Sequence, residues 1–178
     1  MQPTDLLFIS DIPLRKKIIN AIDTISGLYL IEKDTNYPRE LSKEIRRTIV
    51  LYAASIIEAS LLFLYKRKAS PILKTEYADV HTLPLSLQNG SQNKLVIARQ
   101  VQSPRDEREL MLDVLLKFYT SKEKIIPKSL AEKIIKAKDI RNTFHLSKSR
   151  SGLVVSAKVM QLSTDAVYET IVIVKNSL

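Results

Sequence analysis

The chain has 178 residues, of which 45% are hydrophobic and 26% charged, and its formal net charge is +9. This composition fits one globular domain spanning residues 1–178, with a core of its own. The absence of cysteine excludes disulfides, thiolate zinc sites and a cysteine nucleophile. It also fits the cytoplasm, which is the expected location because the N-terminal residues do not resemble a secretory signal.

The spacing of apolar residues predicts an all-α bundle of about five helices. A first helix is expected over about 13–34, with Asp11 in its cap region, and a second over about 39–68. The second is apolar almost all round in its middle, which indicates burial on several sides. Its apolar run, Thr48 to Tyr65, is shorter than the roughly 20 residues of a membrane-spanning helix, so we expect a core helix and no membrane contact.

A change of pattern between residues 77 and 102 predicts a small β-hairpin inserted in the helical domain. Two apolar runs flank Asn89-Gly90, a dipeptide typical of hairpin turns. Three more helices are expected after it, over about 105–120, from Ser129 to His145 or just past it, and over about 154–175. The last is apolar enough to pack against the bundle or against a second subunit.

Positive charge is concentrated between residues 121 and 150. This segment has nine Lys or Arg and three Asp or Glu, so it alone contributes +6. A basic surface of this kind attracts the phosphates of nucleic acids. The alternative interpretation is a solvated, lysine-rich helix face.

Arg141 stands on the apolar stripe of the predicted helix that ends near His145. The stripe consists of residues at alternating spacings of four and three, namely Leu130, Ile134, Ala137, Arg141 and Phe144. An arginine there costs free energy unless it binds an anion, pairs with a buried acid, or extends to water where the helix leaves the core. Glu58, the one charged residue between Arg47 and Lys66, needs a partner for the same reason. We therefore predict that Glu58 and Arg141 approach each other, either as an internal ion pair alone or within a catalytic site.

His145 follows Arg141 by four residues, which places both side chains on one side of a helix. In a catalytic site, His145 would act as general acid or base on a ribose 2′-hydroxyl or a leaving oxygen, and Arg141 would stabilise charge on the phosphoryl group. Asn142 could orient the phosphate or the histidine. Alternatively, His145 only caps the helix. No metal or other cofactor is expected, and the second histidine, His81, is expected at the surface or packed in a strand.

Two segments together resemble the HEPN superfamily (higher eukaryotes and prokaryotes nucleotide-binding domains). They are residues 45–59 of the second helix and residues 138–146, which include Arg141-Asn142-Thr143-Phe144-His145. The resemblance implies a dimeric helical bundle that acts as a metal-independent endoribonuclease in a toxin–antitoxin or other defence system. It assigns site roles to Arg141, Asn142 and His145, and to Glu58 in the earlier helix. The usual ribonuclease motif has a longer gap between Arg and His than the three residues found here.

Two hypotheses follow from the sequence. In the first, the chain is a HEPN-like protein that binds or cleaves RNA, forms a homodimer, and has an antitoxin or another protein as partner. In the second, it is a non-catalytic interaction and dimerisation module, in which Glu58 and Arg141 form a structural pair.

Overall fold

Five α-helices and a two-stranded sheet make up most of the computed structural model, which describes residues 3–34, 36–68, 71–82, 96–143 and 155–178. The helices are α1 (Ile12–Lys33), α2 (Arg39–Lys68), α3 (Leu112–Lys117), α4 (Lys128–Asn142) and α5 (Ala157–Asn176), and the strands are β1 (Leu73–Thr82) and β2 (Val96–Pro104). The predicted mostly helical fold with a small β insertion is confirmed. The chain divides into a helical unit, residues 1–69 with 111–178, and a hairpin unit, residues 70–110. That all 178 residues form a single domain stays a prediction.

Helix α2 is the centre of the helical unit and packs against α1, α3, α4 and α5. It has buried residues on several sides, as its apolar pattern predicts, including Ile49, Ala53, Ile57 and Leu64. By length and composition α2 could also cross a membrane, since its most apolar stretch has a mean hydropathy of 1.8, but 56% of that stretch is buried within the protein. A core helix passes the same test, and the absence of membrane contact stays a prediction.

The ends of α1 follow from local chemistry. Asp11 precedes the helix, and its carboxylate accepts a hydrogen bond from the Leu14 N–H at 2.9 Å, as expected for the residue in this cap region. Pro13 lies in the first turn, where its missing N–H has no helical acceptor. Helix α1 ends at Lys33, and α2 begins at Arg39 and ends at Lys68, in agreement with the predicted range.

The expected helix over residues 105–120 is wrong for its first half. Strand β2 continues to Pro104, which pairs with Leu73, and the Arg105 N–H bonds across to the Ile72 carbonyl at 2.8 Å and not within a helix. A 3-10 turn, Glu107–Glu109, follows, and α3 begins only at Leu112, whose N–H is bound by a carboxylate of α2. After α3 the chain widens into a π-helical turn, Phe118–Lys122.

The hairpin unit is an antiparallel pair whose strands begin at Leu73 and end at Pro104, beyond the predicted range of 77–102. Its register aligns Leu73 with Pro104 and Thr82 with Val96, with an irregularity between Ala78 and His81. His81 is exposed, in agreement with its expected place at the surface. The Asn89-Gly90 turn signal lies outside the described residues.

Candidate functional site

The apolar stripe of α4 brings Arg141 to the edge of the helical core. Leu130, Ile134 and Ala137 are fully buried, as the stripe predicts. Arg141 comes one turn later, in the last turn of α4, and 29% of its side chain is exposed. The side chain is therefore partly buried at the edge of the core and partly open to solvent. Phe144, the next position on the stripe, lies outside the described residues.

Glu58 and Arg141 form an ion pair, which confirms that the two residues approach each other. Arg141 Nη1 donates to Glu58 Oε2 at 2.7 Å, and 20% of the glutamate side chain is exposed. The other carboxylate oxygen, Oε1, accepts a hydrogen bond from the Leu112 N–H at 2.9 Å. Glu58 thus joins α2 to the C-terminal turn of α4 and to the first residue of α3.

The ion pair lines an open cleft of about 220 Å³. Helix α2 contributes one residue, the segment at the start of α3 three, and the end of α4 three; they are Glu58, Met111, Leu112, Asp113, Lys138, Arg141 and Asn142. Asn142 is exposed and is the last residue of α4. The charged groups on this lining are two acids and two bases, so its cations are balanced within the protein.

A second ion pair in the cleft was not predicted. Lys138 Nζ lies 2.6 Å from Asp113 Oδ1 and 3.7 Å from Asp139 Oδ1. The hydrogen bond with Asp113 is the main cause that raises the pKa of Lys138 above its ordinary value, so the amine is cationic at neutral pH. The spacing of Lys138 and Arg141, three residues apart on one helix, was a signal for their shared face. No sequence signal placed Asp113 there.

The expected helix to His145 is wrong at its end, because α4 stops at Asn142 and Thr143 is its C-cap. His145 itself lies outside the described residues, so its distance from Arg141 and its catalytic role stay predictions. Among the candidate site residues, the structure brings together Glu58, Arg141 and Asn142 around one cleft. Within the described part of the chain there is no group of three or more His, Cys, Asp or Glu side chains that could hold a metal ion. The chemistry that these residues provide is hydrogen-bond donation to an anion by a guanidinium and an amide.

No protein-family model, no curated protein and no solved structure matches this chain.

Proposed function

We propose that this protein is a HEPN-like RNA-binding protein of a toxin–antitoxin or other defence system, and that its cleft binds a phosphate of the RNA. The observation that carries the proposal is the position of Arg141, which is held by Glu58 and still 29% exposed beside an open cleft. A guanidinium has five N–H donors, and the hydrogen bond to Glu58 uses Nη1. The donors that Glu58 does not use can bind the oxygens of a phosphate.

The sequence on either side of Arg141 supports an RNA ligand. The segment from residue 121 to residue 150 contributes +6 to the net charge of +9, and Arg141 lies within it. Phosphate backbones are drawn to such a concentration of positive charge. Asn142, exposed next to Arg141, offers an amide that can donate to a second phosphate oxygen.

Cleavage is the second step of the proposal, and it depends on His145. As general base, the imidazole would take the proton of a ribose 2′-hydroxyl while the 2′-oxygen forms a bond to phosphorus. The bond from phosphorus to the 5′-oxygen breaks, and that leaving oxygen takes up a proton. Arg141 would stabilise the negative charge that gathers on the phosphoryl oxygens. The products are a 2′,3′-cyclic phosphate and a 5′-hydroxyl, and none of these roles is assigned to a metal.

The test is incubation of the purified full chain with a mixed RNA pool, with and without EDTA. We expect cleavage that EDTA does not affect and that is lost in His145→Ala and Arg141→Ala. His81→Ala is the matched control, because it removes the other histidine from an exposed position on β1. Intact RNA at high wild-type concentration would refute the nuclease, and unchanged RNA binding by Arg141→Ala would refute the phosphate site.

A second candidate function is favoured by the hydrogen bonds of Glu58. Both of its carboxylate oxygens are used inside the protein, one by Arg141 and one by the start of α3. This is the arrangement expected of a structural pair in a non-catalytic interaction module. Its dimer surface would be the outward face of α5, where Tyr168 is 58% exposed and Val172 lies one turn further.

The two candidates differ in what they require of α5. In the interaction module, Tyr168→Glu abolishes the homodimer in sedimentation or light-scattering measurements, and RNA is neither bound nor cleaved. Lys158→Glu is the control, because it also makes the surface of α5 more negative, at an exposed position in the first turn of the helix. This variant should leave the dimer intact. A wild-type monomer at all concentrations would refute the α5 dimer.

A further inference from the structure

The two ion pairs of the cleft differ in how firmly the acid is held. Glu58 is 20% exposed and has two partners, Arg141 and the Leu112 N–H. Asp113 is 62% exposed, and among the described residues Lys138 is its one ion-pair partner. An exposed carboxylate is well solvated by water on its own, so a contact of this kind contributes little stability. The Asp113 carboxylate can therefore leave Lys138 at small cost, whereas Glu58 is also held in place by the Leu112 N–H.

Lys138 is placed to receive an anion when Asp113 leaves, because its other acidic neighbour, Asp139, lies at the longer distance of 3.7 Å. Its side chain is 20% exposed, and it lines the same cleft as Arg141. The two cations are three residues apart on α4, so their side chains emerge as neighbours on one helical face. Neighbouring phosphates of a single nucleic-acid strand can be contacted together by two cations in this arrangement.

We propose that Lys138 is a second phosphate-binding residue of the cleft, and that Asp113 occupies its ammonium group until a phosphate displaces the carboxylate. The ligand is a single RNA strand with two successive phosphates, one at Arg141 and the next at Lys138. This inference rests on the proposed function, because it adds a second contact to the same RNA. It assigns Asp113 as an internal competitor of the RNA and not as a catalytic group.

Another ion pair on α4 provides matched controls. Lys133 Nζ contacts Glu169 Oε1 of α5, and its side chain is 26% exposed, close to the 20% of Lys138. Lys133 and Glu169 do not line the cleft. Lys133→Ala therefore removes the same charge from the same helix as Lys138→Ala, and Glu169→Gln removes the same charge from the protein as Asp113→Asn.

The experiment measures the affinity of the full chain for a fluorescent single-stranded RNA whose 2′-hydroxyls are methylated, so that cleavage is blocked, over a series of salt concentrations. Each phosphate contact to a single strand contributes about 0.7 to the slope of log affinity against log salt. We expect Lys138→Ala to lower that slope by about 0.7 and Lys133→Ala to leave it close to the wild-type value. Asp113→Asn should bind several-fold more tightly than Glu169→Gln at low salt.

The outcomes separate this inference from the function on which it rests. If the wild type binds RNA and Arg141→Ala weakens it, but Lys138→Ala behaves as Lys133→Ala, the second phosphate contact is refuted and the first stands. Equal affinities of Asp113→Asn and Glu169→Gln would refute the competitor role of Asp113. If the wild type does not bind RNA at any salt concentration, the proposed function itself fails.

Discussion

Arg141 and Glu58 are 83 positions apart in the chain, and their side chains meet at 2.7 Å. The two residues are held differently, because Glu58 also binds the Leu112 N–H whereas the Arg141 side chain is partly exposed to solvent. Loss of Glu58 therefore leaves two partly buried donors without an acceptor, whereas loss of Arg141 leaves a carboxylate that still has one hydrogen bond.

This difference predicts an order of stabilities. We expect Glu58→Ala to lower the free energy of unfolding by about 2–3 kcal/mol and Arg141→Met, which keeps the apolar stem, by about 1 kcal/mol. Urea unfolding followed by circular dichroism measures both. The double variant should lose less unfolding free energy than the two single variants lose together, because the contact between Glu58 and Arg141 can be lost only once. Equal losses, or a larger loss for Arg141→Met, would contradict the dual role of Glu58.

The ion pair between Arg46 and Glu32 is more deeply buried than the pair between Arg141 and Glu58. The Glu32 side chain is 4% exposed, and its Oε1 accepts from Nε of Arg46 at 2.7 Å, with Nη2 at 2.6 Å. The other oxygen, Oε2, is buried and has no hydrogen-bond partner in the described part of the chain. We expect Arg46→Met to cost about 3–5 kcal/mol of unfolding free energy, because it leaves a buried charge uncompensated.

The compensating change is Glu32→Leu in the Arg46→Met background. Replacement of both charges by apolar groups should restore most of the loss, because neither charge then has to be desolvated. Guanidinium chloride unfolding of the single and double variants is the measurement. A double variant as unstable as Arg46→Met alone would mean that Arg46 acts through something other than Glu32.

The hairpin unit has a stability that should depend on pH. Lys74 bonds to Glu76 and Glu109, and its hydrogen bond is the main cause that lowers the pKa of each carboxyl below its ordinary value. A carboxyl whose pKa is lower in the folded protein than in the unfolded chain stabilises the fold at pH values above its unfolded pKa. That stabilisation disappears as the pH falls through the folded pKa.

We therefore expect Lys74→Met to be less stable than the wild type at neutral pH, and the difference to vanish on acidification below the ordinary range of a glutamate. Unfolding curves at a series of pH values, with hydrogen exchange of the β1 amides, measure it. Arg99→Met is the control, because Arg99 pairs with Asp79 in an exposed position, at 70% and 61% exposure, and should change little at any pH. A Lys74→Met deficit that is independent of pH would contradict this account.

The cap of α1 offers a prediction from local structure. Asp11 accepts from the Leu14 N–H, so Asp11→Ala should cost about 1 kcal/mol of unfolding free energy, and Asp11→Asn much less. Thermal unfolding provides the comparison. Because α1 contributes no residue to the lining of the cleft, RNA binding at a temperature where all three proteins are folded should be the same for each. Equal stability of the alanine and asparagine variants would argue against the cap.

Local patterns were sufficient for the long helices and insufficient for α3. The start of α1 follows from Asp11 and Pro13, and the long buried span of α2 follows from its apolar repeat. The predicted helix from Arg105 failed because the Arg105 N–H bonds to the Ile72 carbonyl, and because the first N–H of α3 bonds to Glu58, 54 positions earlier. Neither influence is visible in a window of sequence.

By itself, the sequence determined the mostly helical class, the apolar stripe of α4 and the need of Glu58 and Arg141 for partners, because periodicity and an isolated charge in an apolar helix are local facts. Only the tertiary structure decided that these two side chains satisfy each other, that Asp113 meets Lys138, and that both pairs line one cleft. These contacts join α2, α3 and α4, and their geometry depends on how the helices pack, which is set by the whole core.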